Sequence, residues 1–240
     1  MAIDEIEVPG NSISLQCSIF KAESIDKLFG EMGENNNLFD LERESPGFHD
    51  CDSNSRVVRG FYSLVSSFEV EHLIEGISTL SLLKRIESCE FLAMNGFLFS
   101  FGKLGTQKVL FQTMSGLTGF GVRSIEYEFL QMSRFHERLS QVKAIVITNP
   151  KDKEIRRARL AGRIESYTDY NILDPLNHGI ENVSGLIDGP LGPMNVTVGR
   201  KGSWRIGVRK GFILTLDCLL WLNEMIQEEK PPSQTFFKAG

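Results

Sequence analysis

One order of elements recurs in this chain at a spacing of about 110 residues. The alternating run Ser12-Ile13-Ser14-Leu15-Gln16-Cys17-Ser18-Ile19-Phe20 leads into a helix-like stretch over 23–32. The run Ser124-Ile125-Glu126-Tyr127-Glu128-Phe129 leads into another over 130–139. A strand-like apolar run follows each, at 38–41 and 142–147, and each half closes on a helix-like apolar run, at 109–117 and 219–226. Solenoid repeats are much shorter, so this period points to two copies of one domain. The expectation is an α+β fold in two similar halves, 1–121 and 122–240, each a mainly antiparallel sheet with helices packed on one face.

Local signals fill in that plan. Ile13, Leu15, Cys17 and Ile19 alternate with polar residues, as in a half-buried strand. Ser24 suits an N-cap and Gly33 a helix C-terminus. Residues 44–55 read as a polar, acidic loop. Residues 56–86 read as two strands turning near Glu75-Gly76, with 80–86 open to a helical turn. Phe91-Leu92-Ala93-Met94, Asn95-Gly96 and Phe97-Leu98-Phe99-Ser100-Phe101 spell a hairpin with a type I′ turn. Thr106 is placed to cap the helix that follows, and Gly116 and Gly119-Phe120-Gly121 to end it. In the second half the pattern predicts strand 122–128, helix 129–140 and strand 142–148. Residues 151–164 lean to strand from Arg157 on, and 185–193 read as a turn-rich link. Met194–Val198 and Trp204–Arg209 pair as a hairpin around Arg200-Lys201-Gly202-Ser203. Asp217 is the expected cap of the closing helix.

The strand–helix–strands–helix plan, said twice, resembles the duplicated saddle of the TATA-binding protein family. The resemblance is one of topology and covers no diagnostic motif. Both copies here exceed what that plan requires, so no residue role is carried over.

Charge divides the chain. Residues 1–133 carry 10 Lys and Arg against 19 Asp and Glu, a net −9, whereas 134–211 carry 14 against 8, a net +6. Such asymmetry speaks about partners rather than fold. With period-2 geometry Trp204, Ile206 and Val208 share one strand face and Arg205 and Arg209 the other, with Arg200, Lys201 and Lys210 at the ends. Arg157, Arg159 and Arg163 share a face in the same way. Guanidinium groups stay charged and donate bidentate hydrogen bonds to phosphate. These eight residues therefore form the candidate nucleic-acid or polyanion site, the first functional reading. The second reading is a protein-interaction or self-association module in which acidic and basic halves dock on each other or on a partner.

Other chemistry is weaker in the sequence. Residues 169–178, with Asp169, Asp174 and His178, make the best enzyme-like segment, although Asp-Pro and Asn-x-Gly are also ordinary turn formers. His49-Asp50-Cys51-Asp52 offers metal-ligand types without partners at a recognisable spacing. No Walker A loop, dinucleotide fingerprint or nucleophile elbow occurs, and no cofactor, metal site or catalytic set is assigned. Phe97, Phe99 and Phe101 alternate as a stacking platform would, but fit a core strand better. No run approaches the roughly 20 apolar residues of a membrane span, and the acidic N-terminus is unlike a secretory signal. Cys17, Cys51, Cys89 and Cys218 are isolated, with Cys17, Cys89 and Cys218 beside apolar neighbours. A cytoplasmic protein with no membrane partner is expected.

Overall fold

The computed structural model describes residues 2–74, 77–148, 157–164 and 179–228, without the side chains of residues 72, 74, 77, 163 and 164. In chain order the elements begin β1 (Glu5–Glu7), β2 (Ser12–Phe20), α1 (Ile25–Met32), β3 (Gly47–Ser53), β4 (Val58–Ile74), β5 (Ile77–Met94), β6 (Gly96–Phe101) and α2 (Leu104–Thr118). They continue β7 (Arg123–Ser124), α3 (Phe129–Glu137), β8 (Gln141–Thr148), β9 (Arg157–Ile164), β10 (Gly179–Gly189), β11 (Gly192–Gly199), β12 (Ser203–Gly207), β13 (Ile213–Thr215) and α4 (Leu216–Gln227). The fold is α+β with mostly antiparallel sheets: the ladders β1–β13, β2–β12, β12–β11, β11–β10, β10–β8, β8–β9, β3–β4, β4–β5 and β5–β6 are all antiparallel. No described helix is long and apolar enough to cross a membrane.

Contacts divide the chain into two compact units. The first joins Met1–Cys17 to Ser124–Gly240, and the second is Ser18–Arg123. The division falls inside β2, where the side-chain alternation changes phase. Ile13, Leu15 and Cys17 are buried up to that point, and Ser18 and Phe20 beyond it, which leaves Ile19 47 % exposed. The phase change is why a simple odd-residue pattern fails at Ile19.

In the first unit, β12 pairs with β2, β11 with β12, β10 with β11, and β8 with both β10 and β9. One face of this sheet is apolar. Val183, Ile187, Ile145, Ile147, Val196, Val198 and Ile206 are buried there, as are Phe135 of α3 and Leu219, Leu222 and Ile226 of α4. Arg138, at the C-cap of α3, donates to the carbonyl of Met225 and, at 2.7 Å, to that of Glu228. A cation at these carbonyls satisfies the otherwise open C-terminal end of α4. Thr215, not Asp217, caps α4, its hydroxyl accepting from the Cys218 amide.

In the second unit β3, β4, β5 and β6 form an antiparallel meander. Leu28 and Met32 of α1 and Leu110 and Met114 of α2 join Phe48, Tyr62, Cys89, Phe91 and Leu98 in one core cluster. Ser24 caps α1 as expected, accepting from the Lys27 amide.

Several local expectations change. Residues 47–53 form strand β3 rather than a loop, because Phe48 is fully buried and anchors a polar edge strand. The Asn95-Gly96 hairpin is present, with Met94 opposite Phe97, but only Gly96 has a positive φ, so the turn is not type I′. Lys103 stands at the N-cap of α2, and the Thr106 hydroxyl instead donates to Glu87. Gly116 lies within α2, which ends at Gly119 in a left-handed cap. Residues 38–41 contribute only isolated bridges. The strand expected over 122–128 shrinks to Arg123–Ser124. The link expected over 185–193 is largely strand, since β10 runs to Gly189 and β11 starts at Gly192. An added Cβ at Gly185 would lie 2.4 Å from the Gln141 carbonyl oxygen, so this glycine permits close strand approach rather than a turn.

Candidate polyanion-binding face

The registers decide which side chains share the open face of the first unit. Ser14 lies opposite Arg205, Arg205 opposite Thr197, Thr197 opposite Ser184, Ser184 opposite Ala144 and Ala144 opposite Ala161. The next row sets Gly199 beside Asn182, Val146 and Arg159, and Thr148 pairs with Arg157. Opposed residues in an antiparallel sheet project to the same side. Arg205, Arg159 and Arg157 therefore stand on one face, among hydroxyls and amides. From β12 to β9 is four strand steps, about 19 Å at roughly 4.8 Å each.

The face is concave. A hollow of about 590 Å³ is lined by Arg157, Arg159, Asn182, Ser184 and Thr197 over a floor of Ala144 and Val146. A second, of about 390 Å³, shares Asn182 and adds Thr148, Glu181, Arg200, Lys201 and Ser203. Thr197 donates to Ser184 at 2.9 Å, and Lys143 donates to the Asn195 side chain, adding an ammonium group that sequence reading missed.

The turn carrying Arg200 and Lys201 is held by main-chain bonds from three segments. The Arg200 amide donates to the Glu181 carbonyl at 2.8 Å, and the Tyr127 amide donates to the Arg200 carbonyl at 2.8 Å. The Cys17 amide donates to the Gly202 carbonyl at 2.8 Å, and the Gln16 side chain donates to the Lys201 carbonyl at 2.6 Å. Gly202 has φ +77°, and an added Cβ would meet the Ile125 side chain at 2.3 Å and the Cys17 carbonyl oxygen at 2.4 Å. The two cations thus project from a fixed backbone, which limits the ordering cost of gripping a ligand.

Two of the cations already face carboxylates. Arg157 lies 3.0 Å from Glu181, and Arg200 is paired with Glu126. The hydrogen bond and charge of Arg200 hold the Glu126 carboxyl below its ordinary range. Both pairs are solvent-exposed, and such pairs are worth only about 0–1 kcal/mol, so a phosphate can compete for the guanidinium groups. Arg205 donates to the Ser12 hydroxyl at 3.3 Å.

Of the eight sequence candidates, Arg157, Arg159, Arg200, Lys201 and Arg205 border this concave face. Arg209 and Lys210 do not: β12 ends at Gly207, and both lie exposed in the turn toward β13. The backbone of Arg163 belongs to β9, and its side chain lies outside the described residues. The 169–178 segment, with Asp169, Asp174 and His178, also lies outside them.

The other candidates resolve differently. His49 Nδ1 lies 2.8 Å from Asp50 and Nε2 2.8 Å from Ser63, whose hydroxyl reaches Ser88 at 2.7 Å. An Asp–His–Ser–Ser chain is thereby assembled that no spacing in the sequence reveals. Ser63 is fully buried, so the chain ties β3, β4 and β5 together rather than presenting a nucleophile. With both ring nitrogens engaged and burial pushing the Cys51 thiol up to about 11, His49-Asp50-Cys51-Asp52 is a poor metal cradle. Burial also pushes the thiols of Cys17, Cys89 and Cys218 up to about 12, which marks them as packing groups. Phe99 and Phe101 are buried, which removes the stacking platform. No protein-family model matches this chain, and no curated protein matches it in sequence.

Proposed function

We propose that the chain is a binding protein whose first unit grips a polyanion, nucleic acid foremost, on the concave open face of its sheet. The reading rests on one observation. Arg157 and Arg159 from β9, Arg200 and Lys201 from a clamped turn, and Arg205 from β12 converge on one face lined by Asn182, Ser184 and Thr197. Arg and Lys supply phosphate contacts, while hydroxyl and amide groups bond phosphate or sugar oxygens.

The described rim carries no aromatic side chain, since Trp204 points to the buried side. Single strands commonly bind by stacking bases on such groups, at about 1–3 kcal/mol each. A duplex, gripped by its backbone without sequence readout, is therefore the favoured ligand. The face, about 19 Å across, suits an object of that width.

A duplicated ancestry is part of the same reading. Both units run helix, strands, helix, with four strands between α1 and α2 and six between α3 and α4. The proposed acidic copy, 1–121, and basic copy, 122–240, meet near the division at Arg123, although Met1–Cys17 joins the basic unit.

The test is retention of the full chain on duplex and single-stranded oligonucleotides across a salt series. Retention at about 50 mM salt should fall steeply by about 200 mM. Arg157→Glu with Arg159→Glu, or Arg205→Glu alone, should abolish most of it, whereas Arg209→Glu with Lys210→Glu should change it little. No retention at low salt, or retention indifferent to the first two variants, refutes the proposal.

A further inference from the structure

β4 and β5 outrun the sheet that supports them. Their register is unbroken from Val58 opposite Ala93 to Ile74 opposite Ile77. β3 accompanies β4 only as far as Ser63, and β6 accompanies β5 only from Glu90. Beyond those points, among the described residues, the two strands pair only with each other. Two strands alone are marginally stable in water, and each outer edge presents unpaired N–H and C=O groups.

Both faces of this arm carry exposed apolar side chains. On one face lie Leu73, Leu80, Leu82 and Ile86, which are 79 %, 66 %, 62 % and 50 % exposed. On the other, Phe68 opposes Leu83, at 39 % and 43 %. Neither strand has a proline in the arm, and the β4–β5 ladder has no bulge, so two usual devices that protect an edge are missing.

We propose that the arm is a self-association device. The β5 edge pairs antiparallel with the β5 edge of a second copy of this chain, about a two-fold axis at Leu83. Charge and apolar matching select this arrangement. Joining two β4 edges about Val70, the middle of the free β4 stretch near the tip, would set Glu69 of each copy against Glu71 of the other, a like-charge contact. The β5 edge instead carries Ser, Thr and Leu with Lys84 and Arg85.

Centring on Leu83 sets Leu83 against Leu83 of the second copy and extends the row to Phe68 on each side. On the opposite face it sets Leu80 against Ile86 of the second copy, twice by symmetry. It also sets Lys84 of the second copy, whose ammonium group pairs with Glu44 of its own chain, opposite Leu82, and Arg85 opposite Ser81, so that no like charges oppose each other across the joint. A centre at Leu82 loses the Leu80–Ile86 and Leu83–Leu83 contacts and leaves Glu69 flanking the axis on both sides. The result is a four-stranded ribbon, above the three strands at which an exposed ribbon becomes independently stable. An isologous contact of this kind closes after two copies.

Light scattering on the full chain should give a particle of twice the 27.0 kDa chain mass. Leu83→Cys should cross-link into a disulfide dimer under mild oxidation, because a residue on the axis meets itself at Cβ separations a disulfide can span. Leu73→Cys, near the tip, should not. Leu83→Glu should return the chain to a monomer with an unchanged circular dichroism spectrum. A wild-type chain that stays monomeric across the concentration series overturns the proposal. So does a dimer that survives Leu83→Glu and is not trapped by Leu83→Cys, since association would then run through another surface.

Discussion

The concave face of the first unit and the arm of the second both leave β-structure open to water, with opposite surfaces. On β10 the inner residues Val183 and Ile187 are buried, and the outer residues Asn182 and Ser184 are polar. On β5 one face carries Leu80, Leu82 and Ile86 with Lys84 among them, and the other carries Leu83 between Ser81 and Arg85. A sheet with one buried face writes a period of two into its sequence. An arm with apolar side chains on both faces mixes them with Ser, Thr and charged residues, so no single alternation marks which face is open. Exposure, not composition, distinguishes Phe68 from Phe99.

That pair provides the sharpest test. Phe99 is fully buried, and Phe99→Ala should lower stability by about 3–5 kcal/mol. Phe68 is 39 % exposed, and in dilute solution Phe68→Ala should cost less than about 1 kcal/mol. Urea melts followed by circular dichroism would separate the two. A large loss at Phe68 would mean that the arm is core rather than a projecting surface.

Next in size is the turn under the cationic face. Gly202→Ala forces a side chain into a positive-φ position and against Ile125 and the Cys17 carbonyl. The expected loss is about 2–3 kcal/mol. Both tryptophans, Trp204 and Trp221, lie in the first unit, so their fluorescence reports its unfolding selectively. If the variant melts like the wild type, the Arg200–Lys201 turn is not the fixed scaffold described above.

The folding grammar was legible where one residue type decides one geometry. Ser24 and the Asn95-Gly96 and Arg200–Ser203 hairpins stand where the sequence places them. It misled where a residue serves a distant neighbour. Gly185 looks like turn chemistry, but it answers the approach of Gln141, more than 40 positions away. The polar run around β3 looks like a loop because Phe48 is the one large apolar side chain that it buries. At the candidate site, strand parity put Arg157 and Arg159 on one face of their strand, but that Arg205 shares this face follows from the registers of four ladders, which no local pattern announces. Parity misassigned Arg209 because nothing local announced that β12 stops at Gly207. Lys143 was missed because its relation to Asn195 passes through a register irregularity between β8 and β10.

A finer test sits within the cationic face. Arg159→Gln should reduce the dependence of log affinity on log salt by about one and weaken duplex binding uniformly across sequences. Arg209→Gln should leave both unchanged. Equal effects from the two would mean that long-range charge rather than the concave face drives binding.

The smallest expected effect concerns His136 of α3, which is buried in the first unit. Burial holds its pKa below the ordinary value of 6.5, so the folded chain keeps the ring neutral while the unfolded chain protonates it. Stability is then full above pH 6.5 and declines as the pH falls below that value, by at most about 1.4 kcal/mol per pH unit for a single proton. The ion-paired Glu23, Glu87 and Glu126, with pKa values held below 4.5, begin to act only at lower pH. Glu224, raised above 4.5 by burial and by the Glu228 charge, contributes with the opposite sign, so it cannot produce the decline. Tryptophan-detected urea melts at pH 7 and pH 5.5 should differ by up to about 1 kcal/mol, and His136→Gln should remove that difference. A decline of the same size in the variant would assign the protonation to another group.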